Sequence, residues 1–318
     1  MKKFKDLDPE KYNNLFTNLE YLRSHETIGD EDADYNGIYH VHWRGVITDK
    51  HILTVKSILA TQNNPTVYFW IEDSLRAMTS PSYGRLMQFS KHVEVKVFDD
   101  KVIDMLDVPP ATKSKIKQYY NMMGYADVRY RSDVFRFIVL TVFGGVYLDL
   151  DMLLLRDLTD IHVRQWCSKM GPGSELGDGA ILKLEKGNKD CEQIYLNDPN
   201  NPQCYVISNA LDYKHENLDI VSFPNAFFDI LWGHPHSQDG KRGLEIDGIR
   251  MEDFPEFFER TDDDVSLDTF FRGCFAYHWH NRWEAPEYRD SYAGKLNASF
   301  DEVIREKYGI TPAKIFQA

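Results

Sequence analysis

The run SDVFRFIVLTVFGGVYLDLD occupies residues 132–151, and its reading decides the fold. Its first part has the apolar spacing of a helix that starts near residue 126 and ends at Phe143. Gly144 and Gly145 stop that helix in the manner of a C-terminal glycine cap. Residues 146–150 then read as a buried strand with Asp149 and Asp151 at its end. Asp133 and Arg136 are three residues apart in the helix, so they share one face. Such a pair can bind sugar hydroxyls, the carboxylate accepting and the guanidinium donating through its planar fork. It is also the pattern of an ordinary surface ion pair. In a strand, residues i and i+2 face one side, so Asp149 and Asp151 are expected to converge. Converging carboxylates repel unless a cation lies between them. Hard ions such as Mg²⁺ and Mn²⁺ favour oxygen ligands and complete their shell with phosphate and water. An ion of that kind would hold a diphosphate and stabilise the charge that develops as it leaves.

Toward the N-terminus, strands are expected at 37–43 (GIYHVHW), 66–71 and 93–98, alternating with helices near 51–61 and 80–89. That rhythm predicts an α/β fold, a Rossmann-like, mostly parallel central sheet flanked by helices. Residues 1–36 read as a polar helical and linker extension. Toward the C-terminus the pattern is less regular: a Gly/Pro-rich loop at 171–179, short strands at 180–184 and 203–208, and an acidic stretch at 246–264 read as a solvated insertion or helix. A single domain over 1–318 is expected.

Of the 318 residues, 42% are apolar and 14% aromatic, enough for an ordered core. The net charge of −13 argues against a nucleic-acid binder, because only a short lysine cluster at 113–117 could meet phosphates. Cys167, Cys191, Cys204 and Cys274 are widely spaced with no CxxC, so reduced thiols are expected. The N-terminus has no apolar signal core, and no apolar run is long enough to span a bilayer. These features predict a soluble, cytoplasmic protein without a membrane segment.

The stretch at 132–151 resembles the signature of the DXD-containing sugar transferases of glycosyltransferase family 32. That group includes α-mannosyl- and α-1,4-galactosyltransferases, and the glucosyltransferase domains of large clostridial toxins share the pattern. The resemblance implies a GT-A fold, a nucleotide-sugar donor (UDP by analogy, with GDP open), Mn²⁺ or Mg²⁺, and retention of anomeric configuration. It implies that Asp133 and Arg136 contact the donor sugar. Asp149 would meet ribose, sugar or a metal-bound water, Asp151 the metal itself, and Tyr147 would lie near the donor. It further implies a nucleotide-sugar-binding half at 37–158 and an acceptor-side half at 159–318, the acceptor being a glycan or other hydroxyl.

Two distant segments extend the likeness. IYHVHWRG (38–45) is similar to the family's first strand, where a tryptophan packs on the nucleobase. Trp43 fits that role, and His40 is either a neighbour of the nucleotide or structural. AYHWHNRW (276–283) resembles the late His-containing motif that returns to the metal–diphosphate centre. His278 is the candidate ligand there, with His280 as the alternative and Asn281 and Trp283 as neighbours. Arg282 stands where a serine is often found and could pair with phosphate.

Asp178-Gly179 could approach the transferred sugar or be a simple turn, and Trp232-Gly-His-Pro-His236 could line an acceptor groove or be a surface loop. A dehalogenase-type phosphatase also places DxD after a strand, but it requires Thr or Val where this chain has Leu153. A carbohydrate- or cation-binding protein without turnover is the non-enzymatic alternative. No GxxxxGK[ST] occurs, which excludes a P-loop hydrolase.

Overall fold

The computed structural model describes residues 14–123, 128–170, 177–188, 220–232 and 244–316. The strands are β1 (Ile38–Trp43), β2 (Thr66–Ile71), β3 (Val93–Val97), β4 (Gly145–Leu148), β5 (Met152–Leu154), β6 (Trp166–Lys169), β7 (Gly177–Leu184), β8 (Val221–Phe223) and β9 (Ala276–His278). The longer helices are α1 (Leu15–Ser24), α2 (Asp49–Thr61), α3 (Pro110–Met123), α4 (Val128–Phe143) and α5 (Tyr292–Tyr308). Among the described residues, seven strands form the central sheet in the order β8-β6-β7-β4-β1-β2-β3. All neighbours are parallel except β7, which runs against both β4 and β6. This is the mostly parallel, helix-flanked α/β sheet expected from the sequence.

The two faces follow from strand alternation. Tyr39, Val41, Val67, Phe69, Ile71, Val146 and Leu148 point into one core with α2 and α5. Trp70, Tyr147, Leu182 and Leu184 point into a second core with α4. Residues 134–140 of α4 are almost wholly buried on every side, which an aqueous helix tolerates only between packed layers. On the opposite face, α2 buries Lys56 against α5, where its ammonium meets Asp301 at 2.7 Å and Asn297 at 3.0 Å. Ser291 caps α5 at its start by accepting from the Gly294 amide, and Gly309 ends it in the left-handed conformation.

Three expectations are corrected. The helix read at 80–89 is only a short turn of helix at Tyr83–Leu86 followed by a 3₁₀ turn at Met87–Phe89, and Pro81 separates it from a further short helix at Ser74–Met78. The acidic stretch at 246–264 is no solvated insertion. It contributes a hairpin, Leu244–Ile246 with Ile249–Met251, and a 3₁₀ turn at Phe254–Phe258, and it buries Ile249, Met251, Phe257 and Phe258. The strand expected at 146–150 spans Gly145–Leu148, and the aspartates follow it in a turn closed by the Met152 amide donating to the Asp149 carbonyl at 3.1 Å. The strand read at 203–208, Cys191, Cys204, and the His234–His236 part of the acceptor-groove reading lie outside the described residues. Cys167 and Cys274 are free and buried.

Gly144 and Gly145 adopt φ of 68° and 101°, and a Cβ on Gly145 would sit 2.4 Å from the Ile38 carbonyl oxygen. That contact is backbone on β1 and cannot swing away. Gly145→Ala is therefore expected to lower unfolding free energy by about 2 kcal/mol or more in urea titrations.

Burial also depresses two histidines. His40 is fully buried, with Nε2 bonded to the Gly144 carbonyl at 2.9 Å and Nδ1 accepting from Trp70 at 3.0 Å, and burial lowers its pKa to about 4. Burial lowers His51 to about 3. The unfolded chain holds more protons on these residues below the ordinary value near 6.5. Stability must then fall as pH falls through that value. Each is expected to cost about 1.5 kcal/mol between pH 6.5 and pH 5. Urea midpoints measured across this range check it, and a flat profile contradicts it.

Candidate active site

The carboxyl ends of β1 and β4 open into a cleft, the place where open α/β sheets bind ligands. It encloses about 300 Å³ and is lined by Trp43, Asp133, Arg136, Asp149, Asp151, Asn281 and Trp283, among others. Three chain crossings assemble it. The α4-Gly-Gly-β4 connection brings Asp133 and Arg136 over Asp149. The antiparallel β7 starts beside the end of β4, with Leu148 opposite Ile181 and the Asp149 amide donating to the Ala180 carbonyl at 2.8 Å. The antiparallel pairing of β5 and β9 sets His278 opposite Met152, next to Asp151.

Arg136 is the centre of one half. Its Nη2 meets Asp133 Oδ1 at 2.8 Å and Asp149 Oδ1 at 3.4 Å, and its guanidinium lies 4.7 Å from the Tyr147 ring centroid. Burial alone would lower its pKa, but Asp149 and the neighbouring Tyr147, Asp133 and Asp178 raise it, so the cation is secure. Tyr147 donates to Asp149 Oδ1 at 2.6 Å and pairs with the Ser132 hydroxyl at 2.7 Å. Burial first, and then the charge of Asp151, push Asp149 up to about 6 against the pull of Arg136.

Asp151 is the centre of the other half. Burial would raise it, but His278 at 3.1 Å from Oδ2 and the Asn281 amide at 2.7 Å hold it below the usual carboxylate range. Its carbonyl accepts from the Trp279 amide at 3.0 Å. His278 is raised well above its ordinary value, burial being outweighed by Asp151 and Asp229. Asp229 Oδ2 lies 3.5 Å from His278 Nδ1 and 2.7 Å from His280 Nε2, and the two imidazoles stack at 3.8 Å. Asp229, His278 and His280 form a group that could also hold a metal ion.

Of the residues singled out in the sequence, Asp133, Arg136, Tyr147, Asp149, Asp151, Trp43 and Trp283 line the cleft together, and His278 stands behind Asp151. The aspartate pair does not share a strand face. It spans a turn that gives Asp149 to Arg136 and Asp151 to His278. His40 is a structural histidine, buried beneath the sheet end and engaged through both nitrogens. The Arg282 side chain is 44% exposed, 3.8 Å from Asp253, and is not among the groups lining the cleft.

Several contributors were missed. His42 lines the cleft, stacks on Phe135 at 4.2 Å and bonds Glu72 at 2.8 Å. Glu72 also meets Arg131 at 2.5 Å and Tyr120 at 2.5 Å, and although burial would raise it, these partners with His42 bring it down to about 2. Alternation along β1 places His42 on the same side as His40, so sheet periodicity could have found it.

Residues 76–169 match the protein family described as "Glycosyltransferase sugar-binding region containing DXD motif". The match covers just under a third of the chain and includes Asp133, Arg136, Asp149 and Asp151. Residues 76–169 are thus similar to the sugar-binding region of DXD glycosyltransferases. Among solved structures, the chain is similar to the PaToxG glycosyltransferase, at 13% identity and TM-score 0.42, covering 67% of this chain and 82% of that one. The UDP-bound glycosyltransferase domain from the YGT toxin matches at 11% identity and TM-score 0.36, over 51% of this chain and 61% of that one. The apo-form glycosyltransferase GlyE of Streptococcus pneumoniae TIGR4 matches at 11% identity and TM-score 0.46, over 90% of this chain and 66% of that one. No curated protein matches the chain.

A Cβ on Gly179 would lie 2.5 Å from Arg136 Nη1 and 3.1 Å from its Cδ. Gly179→Ala is expected to push the guanidinium off Asp133 and Asp149 and to lower turnover roughly tenfold or more. Its melting temperature should also fall by several degrees, because the displaced guanidinium is buried and loses its carboxylate partners. Steady-state kinetics with calorimetric melting checks both.

Proposed function

We propose that this glycosyltransferase moves a hexose-type sugar from a nucleotide-sugar, UDP-linked by analogy, to a hydroxyl acceptor such as a glycan, with retention of anomeric configuration. The observation that carries the reading is the single cleft in which two tryptophans, an Asp–Arg pair and the two aspartates of Asp149-Leu150-Asp151 meet. Its volume of about 300 Å³ lies at the small end of ligand sites.

Trp43 and Trp283, with ring centroids 4.9 Å apart, form the aromatic wall for the nucleobase. Asp133 and Arg136 orient the sugar hydroxyls, the first accepting and the second donating. The residues present fit a divalent ion. Asp149 Oδ1 is taken by Tyr147 and Arg136 and Asp151 Oδ2 by Asn281 and His278, which leaves one oxygen of each carboxylate for a ligand. Asp151 and Asp149 would hold Mn²⁺ or Mg²⁺, joined by His278 only as the neutral imidazole, and the ion when bound supplies Lewis-acid stabilisation of the departing diphosphate. Retention, implied by the resemblance, has the acceptor hydroxyl attack the face from which the diphosphate leaves, its proton passing to a leaving-group oxygen. No side chain is assigned as nucleophile or general base. The acceptor is met on the side of Asp178 and the C-terminal half. Among the described residues no helix is long and apolar enough to cross a membrane.

Hydrolysis of UDP- and GDP-sugars without acceptor tests the reading. One donor is expected to be cleaved only with Mn²⁺ or Mg²⁺, and Asp151→Asn is expected to reduce the rate roughly a hundredfold or more. Cleavage of no donor, together with no metal-dependent nucleotide binding by calorimetry, would overturn it.

A further inference from the structure

Lys50, the second residue of α2, is 1% exposed although it carries a charge. Among the described residues no carboxylate forms an ion pair with it. Its ammonium instead donates to three backbone carbonyls of one segment: Arg282 at 2.6 Å, Trp283 at 2.8 Å and Ala285 at 2.7 Å. Three acceptors use all three hydrogens of an ammonium. The Phe258 ring centroid lies 4.2 Å from the nitrogen and that of Trp279 at 5.7 Å, and both add quadrupole attraction to the cation. Glu284 and Glu287 supply the longer-range negative charge.

The segment so gathered walls the cleft. Trp283 stacks on His51 at 4.6 Å, meets Trp43 at 4.9 Å, and donates from its indole to Asn281 Oδ1 at 3.0 Å. The Asn281 amide in turn donates to Asp151 at 2.7 Å. His280 and Asn281 both have left-handed backbone, φ of 48° and 58°, which costs free energy in non-glycine residues and needs outside contacts to persist. Asp151 anchors the segment on one side of that turn and Lys50 on the other.

We propose that Lys50 is a positioning residue of the donor site, a buried cationic latch that holds residues 282–285 so that Trp283 and Asn281 face Trp43 and Asp151. The inference rests on the reading of this cleft as a nucleotide-sugar site. Lys50 touches neither donor nor metal. It acts through the carbonyls it gathers, so its loss weakens donor binding more than the chemical step.

The test uses Lys50→Met, which keeps the alkyl stem, and Lys50→Gln, which keeps two donors. The carbonyl of the Arg282–Trp283 bond is itself a Lys50 acceptor, so trypsin reports release of the latch directly. Expected for Lys50→Met are cleavage after Arg282 at least roughly tenfold faster, a donor KM for hydrolysis raised by a similar factor, and a kcat within about threefold of wild type. Lys50→Gln should fall between, and it carries the test if the Met variant does not fold. Faster cleavage with an unchanged donor KM would make Lys50 merely structural and overturn the proposal. So would a fall in kcat with an unchanged KM, or unchanged cleavage in a folded variant. If the wild-type enzyme binds no UDP or GDP, the donor-site reading itself fails, a result visible before any variant is made.

Discussion

Charge buried at the end of an apolar sheet is the constraint on which the structure turns. Arg136 is 5% exposed and Asp151 4%, and a lone ion at such depth would cost several kcal/mol. Each is instead matched, Arg136 by Asp133 and Asp149, Asp151 by His278 and the Asn281 amide. The matching dictates geometry elsewhere. Residue 179 must be glycine to admit the guanidinium, β7 must run antiparallel to deliver it there, and β9 must pair with β5 to bring the imidazole.

A pattern of unlike neighbours follows. Asp149 and Asp151, two residues apart, titrate in opposite directions, the first raised to about 6 and the second lowered. Had both lain on one strand face they would share an environment. The turn after β4 separates them, giving one to a cation and tyrosine and the other to an imidazole and a backbone amide. The same two positions can therefore serve different atoms of one ligand.

Local pattern carried much of the fold. β2 spans the residues read for it, β1 and α2 differ from their readings by one or two residues, and α4 ends at Phe143 as read, because alternation and glycine stops are properties of neighbouring residues. The aspartates were legible as a pair but not as a turn, since Leu150 and Met152 continue an apolar run that looks like strand. Asp229 and Glu72 were illegible for a different reason. Asp229 ends the aromatic run FPNAFFD, and Glu72 simply follows a strand; only contacts with His278, His280, Arg131 and His42 distinguish them from surface acids. Lys50 had the same fate: a lysine in the first turn of a helix reads as solvated, and the three carbonyls that bury it lie at 282–285.

The pairing of β5 with β9 also bears on how the chain comes to its fold. Asp151 is made well before His278 and the Asn281 amide that satisfy it, and joining them closes a loop over nearly the whole C-terminal half. Closing so long a loop is entropically unfavourable until its contacts form, so such pairings come late and slowly. A nascent chain that has finished β4 and the turn after it thus holds Asp149 matched by Arg136 but Asp151 without its partners. The metal-capable centre therefore waits on the distant segment that carries His278 and Asn281.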